Sequence, residues 1–114
     1  MQEAQIMNDI AVRGRINVFG EISAQVSGGS QIVLPGTRTQ ELLAALSAEA
    51  NASIRRDRLI EWIWPESNER NGRKALNTEL WRLRKSIKHA GGEPEDWISS
   101  TAEALKLRTD SGII

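Results

Sequence analysis

The sequence predicts an α+β domain with an N-terminal antiparallel sheet, three helices and a C-terminal β-hairpin. Polar and apolar side chains alternate in residues 15–26, which is the period of a half-buried strand. Apolar residues then recur at helical spacing in residues 42–50 and again in residues 76–87, as they do along one face of a helix. Residues 97–100 and 104–108 are then interpreted as the two strands of a closing hairpin.

Three short strands open the predicted domain. Residues 15–19 and 21–26 each alternate polar and apolar side chains, and residues 31–34 form a third apolar segment. The Ser-Gly-Gly-Ser sequence at 27–30 favours a turn because glycine adopts positive φ without steric cost. Such short connections predict an antiparallel meander with one face covered by the rest of the domain.

Two helices and one short extended segment are predicted next. Residues 37–40 have the capping-box pattern, with a hydroxyl at Thr37 and a glutamine three residues later. Residues 53–55 are compatible with a short strand, and residues 57–64 with a short helix that Pro65 ends. The apolar face of the first helix consists of Leu42, Leu43, Leu46 and Ala50.

The longest helix is predicted from Asn68 to His89. The glycine pair after it supplies the left-handed backbone position at which many helices end. Its apolar side chains form one narrow stripe, which must face a core: Leu76, Leu80, Leu83 and Ile87.

The opposite side of the long helix is basic and polar. Residues 69–89 carry seven basic and two acidic side chains, for a net charge of +5, whereas residues 90–114 sum to −3 and the whole chain is neutral. Lysine and arginine neutralise phosphates, and arginine, asparagine and threonine hydrogen-bond to base edges, so this face suits the DNA major groove. At 100° per residue the side chains opposite the stripe or beside that line are Arg70, Lys74, Asn77, Thr78, Trp81, Arg82, Lys85 and Lys88.

Other interpretations of a basic amphipathic helix are a membrane-surface segment, a calmodulin-type target and a protein-interaction surface. The first two are disfavoured because the domain's own core needs the leucine stripe. A protein-interaction surface is the serious alternative, since Trp81 places an apolar ring on the exposed side of a neutral protein. A structural role is also open for Trp81, which could lean over the core edge or pair with Trp62.

Composition excludes several classes of function. The 114-residue chain has 39% hydrophobic and 26% charged residues, as expected for one globular domain. It contains no cysteine, and its first dozen residues lack the basic-then-apolar pattern of a signal peptide. No stretch approaches the ~18 apolar residues that a membrane-spanning helix needs. We therefore expect a soluble, cytoplasmic protein.

No catalytic constellation is recognisable in the sequence. The single histidine, His89, lies near a predicted helix end, where it can interact favourably with the helix dipole. No carboxylate pair has a histidine or serine at catalytic spacing, and no glycine-rich phosphate loop or metal-ligand cluster is present. We expect no enzymatic activity, no cofactor, no metal ion and no small-molecule ligand.

Three local strings resemble the antibiotic-regulatory branch of the OmpR/PhoB-type winged-helix proteins. They are Leu-Pro-Gly-Thr at 34–37, Leu-Ile-Glu-Trp-Ile-Trp-Pro at 59–65 and Leu-Trp-Arg-Leu-Arg-Lys-Ser-Ile at 80–87. The resemblance implies a winged helix-turn-helix at residues 15–108 that binds double-stranded DNA within a bacterial transcriptional regulator, commonly an activator. It further implies that residues 1–14 are a leader and that residues 109–114 are a tail or the start of a linker to a second domain.

The resemblance also implies roles for individual positions. Asn77, Thr78 and Arg82 would contact bases from a helix in the major groove. Positions 74, 79, 81 and 84 match phosphate-contacting positions, although Glu79 and Trp81 depart from the usual basic or polar residues. The expected DNA-contacting residues are Trp64, Arg70, Arg73, Lys74, Asn77, Thr78, Trp81, Arg82, Arg84 and Lys85.

The predicted hairpin departs from the family's usual wing. That wing often carries a basic, glycine-containing tip with an arginine that enters the minor groove, whereas residues 100–104 contain no arginine. We expect Thr101, Ala102 and Lys106 to be the wing residues nearest DNA and minor-groove contact to be weak. Dimers on tandem repeats and contact with RNA polymerase are partners that the resemblance implies.

Overall fold

The computed structural model describes residues 13–18 and 21–108. Most of the predicted leader, Phe19 of the first predicted strand and the tail at 109–114 lie outside the described residues. The elements in chain order are β1 (Gly14–Asn17), β2 (Ser23–Val26), β3 (Gln31–Ile32), α1 (Thr37–Ala48), β4 (Ile54–Arg55), α2 (Arg56–Ile63), α3 (Glu69–His89), α4 (Pro94–Trp97), β5 (Ile98–Ser100) and β6 (Ala104–Leu107).

The N-terminal sheet is the predicted antiparallel meander, in the order β1-β2-β3. Gly14 pairs with Val26 across the first two strands, and Ala24 pairs with Ile32 across the next two. The turn between β2 and β3 contains two glycines with φ of 103°, as the Gly-Gly sequence predicts. The third strand is shorter than predicted, because residues 33–34 leave the ladder.

The start of α1 differs from the capping-box prediction. Thr37 is already helical, Gly36 occupies the N-cap position, and no side chain caps the helix. The important hydroxyl is instead that of Thr39, which is buried and donates to Glu79 of α3. Leu42, Leu43 and Leu46 are buried as predicted, whereas α1 ends at Ala48 and Ala50 is exposed beyond it.

The long helix begins and ends where the sequence predicts. Asn68 is its N-cap, and the Asn68 side chain accepts a hydrogen bond from the backbone N–H of Asn71 at 2.8 Å. Gly91, just past the end, has φ of 95°, the left-handed conformation that favours glycine. The four apolar residues of the predicted stripe are all buried.

The C-terminal sheet has three strands in the order β4-β6-β5, so the predicted hairpin does not stand alone. The short segment Ile54–Arg55 pairs antiparallel with β6, with Ile54 opposite Leu105. Trp97 is predicted to lie in the hairpin, but in the structure Trp97 ends the short helix α4, which begins at Pro94. Its indole is 1% exposed and lies against Gly14, where any Cβ would overlap the ring.

One hydrophobic core joins both sheets to α1, α2 and α3 within the described ranges. The core fixes α3, because four side chains spaced along it insert among those of the other elements. None of the helices in the described ranges is both long enough and apolar enough to cross a bilayer.

Candidate nucleic-acid interface

The two sides of α3 differ as the sequence predicts. Leu76, Leu80, Leu83 and Ile87 are each 4% exposed or less. Gly72 is also buried and faces Ile60 of α2, where a Cβ would overlap the Ile60 side chain. The absence of a side chain at Gly72 therefore allows α2 and α3 to approach closely, which is the packing expected of a helix-turn-helix pair.

The polar side of α3 is exposed to solvent. Its residues project from one continuous helix of 21 residues whose other side is anchored in the core. We call this surface the outer face of α3, and its exposed residues are Arg70, Lys74, Asn77, Thr78, Trp81, Arg82, Lys85 and Lys88.

Trp81 lies in the middle of the outer face and is 60% exposed. Its ring therefore does not lean over the core edge, which was one structural interpretation of this residue. The Lys85 ammonium lies 4.7 Å from the ring centroid, a cation–π contact one turn along the helix. Trp62 of α2 has a separate cation–π contact with Arg58, also at 4.7 Å.

Glu79 is not on the outer face. It is 7% exposed, and both carboxylate oxygens accept hydrogen bonds. The Thr39 hydroxyl donates to Oε1 at 2.6 Å, and Nη1 of Arg82 donates to Oε2 at 2.8 Å. The position that the family resemblance matches to a phosphate contact thus carries an inward-facing anion, which cannot play that role.

Two arginines connect the wing hairpin to other parts of the candidate interface. Arg56, the first residue of α2, donates from Nε to the carbonyl of Thr101 at 3.0 Å and from Nη1 to Oδ1 of Asn77 at 2.9 Å. Arg84 of α3 donates from Nη2 to Oγ of Ser100 at 2.8 Å. Burial, together with the positive charge of Arg84, lowers the pKa of Arg56 from its ordinary value.

Other expected contact residues are distributed around the outer face. Arg73 is exposed and forms an ion pair with Glu69 one turn earlier, at 2.6 Å. The Thr78 hydroxyl donates to the carbonyl of Lys74 at 2.9 Å, which leaves that hydroxyl oxygen able to accept. Trp64, the C-cap of α2, is half-buried and packs against the core.

The tip of the wing is a tight turn that contains one charged residue, Glu103. The backbone N–H of Thr101 donates to the carbonyl of Ala104 at 2.9 Å, and the Ala104 N–H donates to the Thr101 hydroxyl at 3.0 Å. Thr101, Ala102 and Glu103 are exposed, whereas Lys106 of β6 is half-buried. The expectation of weak minor-groove contact stays a prediction.

Sequence reasoning missed the residues that support the interface from behind. Thr39, Arg56 and Ser100 each bond to a side chain on α3, and each lies at least sixteen residues away in sequence. No local pattern signals such contacts, because they depend on how the helices and the hairpin dock.

In residues 13–18 and 21–108, no three metal-ligating side chains are grouped to bind an ion.

The described elements define a winged-helix fold, with α2 and α3 as the helix-turn-helix and β5–β6 as the wing. EmbR of Mycobacterium tuberculosis, solved in complex with a low-affinity phosphopeptide, is similar in structure, with a TM-score of 0.72 and 20% sequence identity. The similarity covers 86% of this chain and 26% of that one, so this chain spans about a quarter of EmbR. No protein-family profile and no curated protein sequence matches the chain.

Proposed function

We propose that this domain binds double-stranded DNA sequence-specifically, with α3 in the major groove, as part of a bacterial transcriptional regulator. The observation that carries the proposal is the outer face of α3, on which cations, an amide and a hydroxyl project into solvent from a helix anchored in the core. The B-DNA major groove is wide enough to admit such a helix and presents a distinct donor and acceptor pattern for each base pair.

Local charge supports the proposal despite the neutrality of the whole chain. The α3 segment carries a net charge of +5. In physiological salt each charge acts over about 8 Å, so a phosphate near the outer face of α3 responds to the cations there more than to the net charge of the whole chain. A neutral protein can therefore attract DNA through one surface.

We assign roles on this surface by chemistry. Asn77, Thr78 and Arg82 contact base edges, because amide, hydroxyl and guanidinium groups match the major-groove pattern. Trp81 contacts a thymine methyl group or a sugar. The residues proposed to contact or lie beside the phosphate backbone are Trp64, Arg70, Arg73, Lys74, Arg84 and Lys85.

The wing contributes little to this binding in the proposed arrangement. Thr101 and Ala102 are exposed at its tip and Lys106 lies on β6, so these three residues are the wing's contact surface. Pairing of copies on tandem repeats and contact with RNA polymerase are part of the proposed regulator role, which rests on the resemblance of residues 59–65 and 80–87 to the regulator family.

A direct test uses the 114-residue chain and random-sequence duplexes. Selected duplexes should bind, and the logarithm of the binding constant should fall linearly with the logarithm of salt concentration, with a slope of about −0.9 per phosphate neutralised. A slope indicating several phosphates, together with a defined consensus sequence, is the expected result. Absence of duplex binding in low salt would overturn the proposal.

A second candidate function is protein recognition without tight DNA binding. Trp81 and Trp62 are 60% and 45% exposed, and exposed tryptophans are enriched in protein interfaces. Salt separates the two candidates, because a protein interface centred on indole rings loses little affinity between low and physiological salt, whereas a phosphate-contacting surface loses much.

A further inference from the structure

Glu79 and Arg82 form an ion pair that is buried at one end and exposed at the other. The Glu79 side chain is 9% exposed, and that of Arg82 is 51% exposed. A carboxylate this deeply buried is costly unless both oxygens are hydrogen-bonded and a cation lies nearby. Both conditions are met, by Thr39 on α1 and by Arg82 itself.

The carboxylate is therefore fixed to the core, and it holds one nitrogen of Arg82. Thr39 is fully buried and belongs to a different helix, so Oε1 of Glu79 is anchored by a contact 40 residues away in sequence. With Oε2 bonded to Nη1 of Arg82, the guanidinium has a defined orientation before any ligand arrives. No other described residue accepts a hydrogen bond from Arg82, so Nε and Nη2 are available to a ligand.

We propose that Glu79, anchored by Thr39, positions Arg82 to bind guanine in the major groove. This inference rests on the proposed function. Guanine presents two acceptors there, O6 and N7, which match two N–H groups of one guanidinium. An arginine already ordered loses less side-chain freedom on binding than a mobile one. Glu79 also cancels the charge of Arg82, which weakens its attraction to phosphate and favours a base contact.

The pair Arg73–Glu69 on the same helix provides a matched control. It too joins an arginine to a glutamate one turn away, but its side chains are 68% and 79% exposed, and within the described residues Glu69 is not anchored to another element. Removing either glutamate adds one unit of positive charge to α3. Only the removal of Glu79 also releases an arginine from a fixed orientation.

The experiment compares Glu79→Met with Glu69→Met in the 114-residue chain. Binding is measured to the selected duplex and to versions carrying each base at every position, and Arg82→Ala identifies the base pair that Arg82 contacts. The wild type should prefer guanine there by roughly 5- to 150-fold, the discrimination of one bidentate pair. Both glutamate variants should bind random DNA more tightly, with a salt slope steeper by up to about 1.

Base preference then separates the two variants. Glu79→Met should lose most of the guanine preference at the Arg82 position, and adding Arg82→Ala should remove only the small preference that remains. Glu69→Met should keep the preference. The inference is overturned if Glu79→Met keeps the wild-type preference at that position, or if both glutamate variants change it equally.

A replacement variant and the duplex binding of the wild type show whether this inference or the proposed function has failed. If Glu79→Met does not fold, as judged by circular dichroism, Thr39→Val takes its place. It retains the side-chain shape and removes the hydroxyl that anchors Glu79, so the guanine preference should be intermediate, and an unchanged preference would contradict the inference. If the wild type binds no duplex, the proposed function fails and this inference falls with it. Base-specific binding that depends on Arg82 but not on Glu79 overturns the inference alone.

Discussion

The Arg56 guanidinium donates a hydrogen bond to Oδ1 of Asn77 at 2.9 Å, so the first residue of α2 contacts the outer face of α3 directly. The same guanidinium donates to the Thr101 carbonyl at 3.0 Å, and its own backbone N–H donates to the carbonyl of Glu103 at 2.8 Å. Arg56 therefore joins the wing tip, the start of α2 and a proposed base-contacting residue. The contact uses the side-chain oxygen of Asn77 and leaves the Nδ2 group to donate to a base.

Replacing Arg56 should destabilise the domain modestly. Arg56→Ala removes two side-chain hydrogen bonds to partly solvated acceptors, and with a discount for that exposure we expect a loss of about 1 kcal/mol in the free energy of unfolding. Urea denaturation measures the change. The control is Arg55→Ala, since Arg55 is exposed and its ion-pair partner among the described residues is the equally exposed Asp57. A loss as large as that of Arg56→Ala would refute the bridging role.

The sequence predicts those elements of the fold that are indicated by short patterns of residues repeated along the chain. The apolar stripe in α3 extends over three turns, so the side of the helix that faces the core is unambiguous. Asn68 and Gly91 mark the two ends of the helix. Because an α-helix has about 3.6 residues per turn, the buried positions determine which side chains lie on the opposite, exposed face. For this reason the outer face of α3 could be predicted residue by residue.

The features that could not be predicted depend on contacts distant in sequence. Thr39 has the spacing of a residue inside a capping box, yet it is buried because α1 packs across α3 at Glu79. Trp97 directly precedes the strand residues 98–100 and is predicted to belong to the same hairpin, yet Pro94 starts a helical turn and places the indole against Gly14. In both cases docking between elements overrides a short local pattern.

Substituting Gly72 should destabilise the domain although alanine is the better helix former. At an ordinary helix position Gly→Ala stabilises, by up to about 1 kcal/mol. At Gly72 the new Cβ would overlap Cγ2 of Ile60, so we expect Gly72→Ala to lower the free energy of unfolding by about 1–3 kcal/mol. Thermal or urea denaturation gives the value.

The overlap can be isolated by a double-mutant cycle with Ile60→Ala, which removes the opposing Cγ atoms. The cost of Gly72→Ala should be smaller in the Ile60→Ala background than in the wild type. Equal costs in the two backgrounds would show that close packing of α2 on α3 is not the reason for glycine at this position.

Lys74 should contribute to DNA affinity without contributing to sequence preference. Its ammonium is a mobile point charge on the outer face, suited to phosphate more than to a base edge. Lys74→Gln should weaken binding to all duplexes by a similar factor and reduce the magnitude of the salt slope by about 0.9. Titrations at several salt concentrations provide both quantities.

A control that changes the net charge by the same amount as Lys74→Gln lies in the N-terminal sheet. Arg15 is an exposed residue of β1 in the N-terminal sheet and is not one of the proposed DNA-contacting residues, so Arg15→Gln changes the net charge equally without altering the proposed interface. The salt slope should be unchanged in this variant. Equal effects of the two substitutions would mean that net charge, and not the outer face of α3, governs binding.

Adding a cation to the wing tip tests how closely the wing approaches DNA. Ala102 is exposed beside Glu103, in a turn whose backbone hydrogen bonds do not involve the Ala102 side chain. Ala102→Arg should tighten duplex binding at low salt, because an arginine there can reach a phosphate or the narrow minor groove, where the negative potential is enhanced. Ala102→Gln controls for side-chain length without charge. If Ala102→Arg binds no more tightly than Ala102→Gln, the wing lies away from DNA, and recognition by this domain depends on α3 and the residues that support it.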